Sequence, residues 1–306
     1  AATSFGDGTV YVERLLEKSR HVEVQVLTDT LGNAVHLFER ECSIQRRHQK
    51  VVEEAPSPVL DEITREQMGS AAVNAAKAVD YEGAGTVEFL LAEDGEFHFL
   101  EMNTRLQVEH PVTESISGVD LVVEQLRVAA GLPLEFTQDD LTIRGHAIEV
   151  RIYAEDPIRN FAPSIGRLKT FKSPDSKDYS IRLDSGVQEG GEISMYYDPM
   201  IAKLISYGKD RDDACLKLSS ALDSFFISGL ETNIAFVNSV LNNKKFLSGN
   251  ITTAFLEEEY PKGYSGLLKS KSKLFLLSLV ASRPLQQPFL LWPDLWPTLW
   301  SQPLQP

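Results

Sequence analysis

Two short strand-like runs, Thr86–Ala92 and Glu96–Met102, flank an Asp94-Gly95 pair. That arrangement predicts a β-hairpin, because Asp-Gly readily supplies the two positive φ angles of a tight two-residue turn. Pairing then runs Ala92 with Phe97, Leu90 with Phe99 and Glu88 with Glu101, all on one face. Carboxylates about 5 Å apart repel by about 3 kcal/mol at an effective dielectric near 20. The strand pattern offers nothing to offset that repulsion, so a cation is expected. A hard divalent ion with oxygen ligands suits the position, and Asn103 adds a carbonyl oxygen, so Glu88, Glu101 and Asn103 form a candidate metal group. The competing reading is an internal salt bridge in which Arg46 or Arg47 clamps the two glutamates; the hairpin alone does not choose.

The rest of the chain mixes hairpins with helices. His21–Leu27 alternates strictly, Val22, Val24 and Val26 against His21, Glu23 and Gln25, which predicts a half-buried strand. The turn Asp29–Asn33 joins it to a second strand, 34–39. Beyond Pro56 and Pro58, residues 61–79 read as a helix whose Ala71, Ala72, Ala75 and Ala76 allow close packing; 118–130 reads as another, closed by Gly131 and Pro133. Strands near 147–153 and 203–207 precede a helix over 211–225 carrying Ala214, Leu216, Leu218 and Leu222, and a last helix over 232–241. The mixture predicts an α+β fold, an antiparallel sheet with flanking helices, over a doubly wound parallel sheet. Residues 266–306 hold all three tryptophans and prolines at 284, 288, 293, 297, 303 and 306, which predicts an irregular tail.

A net charge of -14 argues against a broad nucleic-acid surface, so any anion site must be a local concentration of cations. The apolar run 274–281 is too short to span a bilayer. Cys42 and Cys215 lack metal or redox spacing, read as packing residues and suggest a reducing compartment. Ser4-Phe5-Gly6-Asp7-Gly8 leads straight into the apolar stretch from Val10, as if the sequence opened inside a domain. There is no Gly-x-Ser-x-Gly, no Walker A and no Rossmann glycine fingerprint.

Three further segments concentrate polar chemistry. Gln45-Arg46-Arg47-His48-Gln49-Lys50 is strongly basic; if extended, Arg46, His48 and Lys50 face one way and Gln45, Arg47 and Gln49 the other. On its own such a run is more often a solvated loop or localisation signal. Asn103–Pro111 follows the second glutamate directly, and if extended aligns Arg105, Gln107 and Glu109: a fork for a planar oxyanion, an amide and a carboxylate able to take a proton. Arg151 ends a strand and alone suggests a surface salt bridge.

At this point the strings Val12–Glu23, Glu39–Lys50 and Glu101–Thr113 closely resemble biotin carboxylases, over about residues 1 to 265. Asp184-Ser185-Gly186 and Ile193–Met200 look most like the propionyl-CoA carboxylase α subunits within that family. The resemblance implies an ATP-grasp fold: residues 1–12 the end of a lid, 13–140 the catalytic part, 141–265 the C-terminal part. It implies that bicarbonate attacks the ATP γ-phosphate to give carboxyphosphate, whose CO₂ is taken up by the biotin ureido nitrogen. Implied ATP contacts are Glu13, Leu16, His21 and Gln45. Glu88, Glu101 and Asn103 would bind Mg²⁺ or Mn²⁺; Lys50, Arg105, Gln107 and the Val108 backbone would hold bicarbonate. Glu109 is the implied general base, and Arg151, with His48 beside it, serves biotin by stabilising charge on the ureido oxygen. Implied partners are a biotin carboxyl carrier domain and a carboxyltransferase subunit within an oligomer, in bacterial cytoplasm or the mitochondrial matrix. The family's glycine-rich lid loop and the Ala-Met-Lys-Met biotin-attachment motif are not in this sequence, so little carboxylase activity is expected from this chain alone. Rival readings are a non-catalytic piece that only binds partner subunits, another ATP-grasp ligase of the carbamoyl phosphate synthetase type, and a structural metal hairpin.

Overall fold

The computed structural model describes residues 1–175 and 180–266, so the Pro/Trp-rich tail lies outside the described residues apart from its first. One antiparallel sheet organises the molecule. Its strands are β1 Arg20–Thr28, β2 Ala34–Arg46, β3 Gln49–Ala55, β4 Gly83–Leu91, β5 Phe97–Asn103, β6 His146–Tyr153, β7 Ile181–Ser185 and β8 Met200–Gly208, in the order β7-β8-β6-β3-β2-β1-β4-β5. Because β3 pairs with β6, the sheet runs unbroken from the N-terminal hairpins into the C-terminal strands.

Helices pack on both faces. The first, α1 (Glu62–Ala78), is capped by Asp61, whose carboxylate accepts from the Thr64 N–H at 2.8 Å. Its small face, Ala72 and Ala76 with Met68, meets Val22, Val24, Val26, Val87 and Phe89, while Gly69 lets the His36 ring approach the helix. On the same side, α4 (Arg211–Ser224) and α5 (Ile234–Leu241) close a larger core with Ile148, Val150, Ile152 and Leu204. The opposite face carries α2 (His110–Ser117) and α3 (Leu121–Ala129) over Leu27, Ala55, Ala147 and Ile205. Among the described residues no helix is long and apolar enough to cross a membrane.

The α+β architecture matches the expectation, with local corrections. β1 is buried on both faces rather than half-buried, because His21, Glu23 and Gln25 lie under other polar side chains instead of water. The hairpin after β4 turns through three residues, Ala92 donating to the Glu96 carbonyl at 2.8 Å and accepting from Gly95 at 3.1 Å, so Phe89 pairs with Phe99 and Leu91 with Phe97. Phe97 and Phe99 therefore share a face with Phe89 and Leu91, not with Leu90 and Ala92. A bulge past Phe89 then restores the predicted register, and Glu88 does face Glu101. The basic run 45–50 is not extended. Arg47 (φ 51°) and His48 (φ 64°) form a two-residue turn that pairs Arg46 with Gln49 and Gln45 with Lys50. Residues 103–111 also leave the extended conformation, bending at Arg105 and entering α2, a helix absent from the sequence reading. On α4, Leu216 faces solvent at 68% exposure.

Candidate active site

The site grows from one row of the sheet. Arg40 on β2, Glu23 on β1, Glu88 on β4 and Glu101 on β5 are successive cross-strand partners, and Gln25, Thr86 and Asn103 form the next row. Charges in such a row stay folded only if each is paired. Arg40, fully buried, donates to Glu23 at 2.6 Å, Gln25 at 2.8 Å, Thr113 at 2.9 Å, Thr86 at 3.2 Å and Gln107 at 2.9 Å. Lys50 reaches in from β3 and donates to Glu23 and Glu109 at 2.5 Å each and to Glu88 at 3.3 Å. Burial works against the ionised carboxyl of Glu23, but Lys50 and then Arg40 outweigh it and hold that group at about 2. Burial likewise disfavours the Lys50 ammonium, yet Glu23 above all keeps it charged and raises its pKa.

Glu88 is buried and accepts from Gln107 at 2.7 Å, lies 2.7 Å from His21 Nε2, and is held at about 2 despite burial, by the His21 contact and then Lys50. The strand pattern thus does hide an offset for the glutamate pair, supplied by His21 on the adjacent β1 and by Lys50 reaching over from β3. It is not the arginine clamp: Arg46 pairs with Glu155 at 2.8 Å and stacks over Phe161, and Arg47 is exposed. Glu101 stays exposed. The Asn103 amide nitrogen bridges the pair, 3.0 Å from Glu88 and 3.1 Å from Glu101. A donor therefore already sits where a cation would, and rotating that amide presents its oxygen instead. Three oxygen donors of this kind fit a hard divalent ion.

A second row crosses the C-terminal half: Asp184, Lys203 and Arg151 are partners on β7, β8 and β6. Lys203 donates to the Val108 carbonyl at 2.5 Å, and Arg151 donates to Glu53 at 2.5 Å and Glu109 at 2.9 Å. Glu109, at the N-cap position of α2, is where the two rows meet, one oxygen on Lys50 and the other on Arg151.

The structure brings together His21, Gln45, Lys50, Glu88, Asn103, Gln107, Val108, Glu109 and Arg151, with Glu101 at the rim. Gln45 donates to the Cys42 carbonyl and contacts His21 at 2.5 Å, linking two residues expected on the nucleotide. Arg105 does not align with Gln107 and Glu109; it is exposed, 3.5 Å from the Asn103 oxygen, because the chain bends there. His48 is exposed at its turn, and Glu13 and Leu16 lie in a segment without regular structure, Glu13 exposed and bonded to none of the cluster. Glu23, Arg40, Glu53, Glu149 and Lys203 were not singled out from sequence. Charged residues alternating inside apolar strands were the available signal. Cys42 and Cys215 are both buried and free, as packing residues should be.

Comparison with known proteins sharpens this picture. Residues 1–137 match the family model described as the carbamoyl-phosphate synthase L chain ATP binding domain, which alone leaves the carbamoyl phosphate synthetase rival standing. Residues 149–258 match the biotin carboxylase C-terminal domain, which removes it. The propionyl-CoA carboxylase alpha chain of Ruegeria pomeroyi is 54% identical, covering 87% of this chain and 42% of that protein. The human mitochondrial propionyl-CoA carboxylase alpha chain is 53% identical, over 92% of this chain and 39% of its own length. The biotin carboxylase domain dimer of Hydrogenobacter thermophilus 2-oxoglutarate carboxylase, solved with MgADP, ADP and bicarbonate, superposes with a TM-score of 0.81 at 46% identity, covering 84% of this chain and 56% of that one. The chain thus spans about two fifths of the curated relatives. Matched on both of its halves and along its site-bearing strands, the chain belongs to the biotin carboxylase family.

Proposed function

We propose that these residues are the nucleotide- and bicarbonate-handling part of a biotin carboxylase that uses ATP, a divalent metal and bicarbonate to carboxylate biotin. The observation that carries the reading is Glu109, a buried carboxylate held between Lys50 and Arg151. Lys50 and Gln107, with the N–H of Val108 and an inward swing of Arg105, hold bicarbonate. Glu109 takes its proton, and the freed oxygen bonds to the γ-phosphorus as ADP leaves. Carboxyphosphate then releases CO₂, and Arg151 stabilises negative charge on the ureido oxygen as the biotin nitrogen attacks. His21 and Gln45 face the nucleotide, joined by Glu13 and Leu16 when that segment closes, and His48 borders the biotin side. Mg²⁺ or Mn²⁺ on Glu88, Glu101 and Asn103 supplies charge neutralisation for the phosphates.

The acceptor we favour is propionyl-CoA, supported by the 54% and 53% identities to propionyl-CoA carboxylase alpha chains. Biotin then arrives on a carrier domain, and a carboxyltransferase subunit uses the product. The dimer of the 2-oxoglutarate carboxylase relative supports an oligomer here, and the mitochondrial human relative supports the matrix for a eukaryotic source. The division we assign is 1–12 lid end, 13–140 ATP-grasp catalytic part and 141–265 C-terminal part.

Calorimetric titration with ATP tests the site: binding should strengthen with Mg²⁺, and Glu101→Gln should remove that dependence. Binding indifferent to Mg²⁺ in the unmutated chain defeats the reading. ATP cleavage by these 306 residues alone should stay low, since Glu13 is exposed and bonded to none of the cluster.

A further inference from the structure

Beneath α2 the sheet changes from apolar to charged within one residue pair. On one side lie Ala55, Ala147, Ile205, Val112 and Ile116; on the other lie Arg151, Lys50 and Glu109. The boundary is Glu53 on β3 and Glu149 on β6, direct cross-strand partners, both 0% exposed. Such partners bring their side chains within reach of one another. Glu53 gives one oxygen to Arg151 Nε; its other oxygen and both oxygens of Glu149 have no hydrogen-bond partner.

The charged groups facing Glu149 are Glu53 on β3, Arg151 on its own strand, Lys203 on β8 and Glu109 at the start of α2. None of them donates to it. Lys203 is committed to the Val108 carbonyl and to Asp184, and Arg151 to Glu53 and Glu109. Three buried acceptor oxygens without donors, on two facing carboxylates, call for a proton. Burial, followed by the charge of Glu53, pushes the Glu149 carboxyl well above its ordinary range. Burial also lifts Glu53 to about 7, against the pull of Arg151.

We propose that Glu149 is kept as the neutral acid at neutral pH and donates its hydroxyl to the free oxygen of Glu53, fixing the carboxylate on which the Arg151 guanidinium is seated. Glu149 is thus a positioning residue, one shell behind the group that meets substrate. The pair then carries one negative charge instead of two, and Arg151 keeps more of its positive field for the site. Protonation follows from the packing alone; only its relevance to turnover rests on the role proposed for Arg151.

Infrared difference spectroscopy of the 306-residue chain at pH 7 reads the proton directly, as the carbonyl stretch of a buried carboxylic acid that shifts in D₂O. The band should be present and should vanish in Glu149→Gln. Hydrogen exchange of the Arg151 side-chain Nε–H, followed by ¹⁵N NMR, reads the positioning. The amide of Glu149→Gln still donates to Glu53, so exchange should stay slow, whereas Glu149→Leu should speed it about tenfold, the rate change expected when an ordering hydrogen bond of about 1.4 kcal/mol is lost. Absence of the band, its survival in Glu149→Gln, or equal exchange in the two variants overturns the proposal. The unmutated band needs no substitution, so a Leu variant that does not fold leaves the test intact. A band present in a chain that binds no nucleotide would sink the functional reading and leave this one standing.

Discussion

Replacing Arg40 with methionine isolates the physics that holds the charged row together. Methionine fills most of the arginine's apolar volume, so the cavity term is small. What is lost is electrostatic. Glu23, with no exposed surface, gives up its 2.6 Å partner and keeps only Lys50. The side-chain oxygens of Gln25 and Gln107 lose donors at 2.8 and 2.9 Å, while Thr86 and Thr113 can rotate their hydroxyls elsewhere. Breaking a buried ion pair costs about 3–5 kcal/mol, and each stranded amide oxygen adds about 1 kcal/mol. Against this, Lys50 remains on Glu23, and the desolvation of the guanidinium itself is avoided. The balance is about 4 kcal/mol. With a urea dependence of about 3 kcal/mol per molar, the midpoint should fall by about 1.3 M with the slope unchanged. Urea titration followed by circular dichroism measures this. A fall of less than about 0.3 M would refute the reasoning, since it would mean that Arg40 is not what makes the buried carboxylates tolerable.

Three other outcomes are expected. Glu23 sits at about 2 when folded against an ordinary 4.5, so its contribution of about 3 kcal/mol is present above pH 4.5 and lost as pH falls from 4.5 toward 2; urea midpoints between pH 6 and 3 should fall accordingly, and a flat profile contradicts the pairing. Glu149 has the opposite sign: its folded carboxyl is raised, so stability declines as pH rises above its ordinary 4.5, and Glu149→Gln should gain on the unmutated chain in thermal melts from pH 5 to 8. Phe236, 2% exposed and edge-on to Phe161, Tyr260 and Tyr264, anchors the larger core; Phe236→Ala should cost about 3–5 kcal/mol in urea titration while leaving Mg²⁺-dependent nucleotide binding measurable below the transition.

Alternation, turn residues and caps were enough to place most strands and the helices α1 and α4, because they act over a few neighbouring residues. Even the facing of Glu88 and Glu101 was legible, although the turn is one residue longer than Asp-Gly pairing suggests and a bulge takes up the difference. Reading the basic run as extended failed because two adjacent positive φ angles, at Arg47 and His48, do not show in the residue types.

The order of the strands decided the rest. A period of two says which face a side chain takes, and nothing about which strand lies alongside. Arg40 finds Glu23 because β2 lies beside β1, and Lys50 spans Glu23, Glu88 and Glu109 because β3 and the turn into α2 converge above them. Glu53 meets Glu149, 96 positions further along the chain, only because β3 pairs with β6. By itself the sequence determined the local elements and the residue types available for chemistry. Tertiary structure alone decided which charges are buried and with whom, because a buried charge survives only where a partner arrives from elsewhere in the chain.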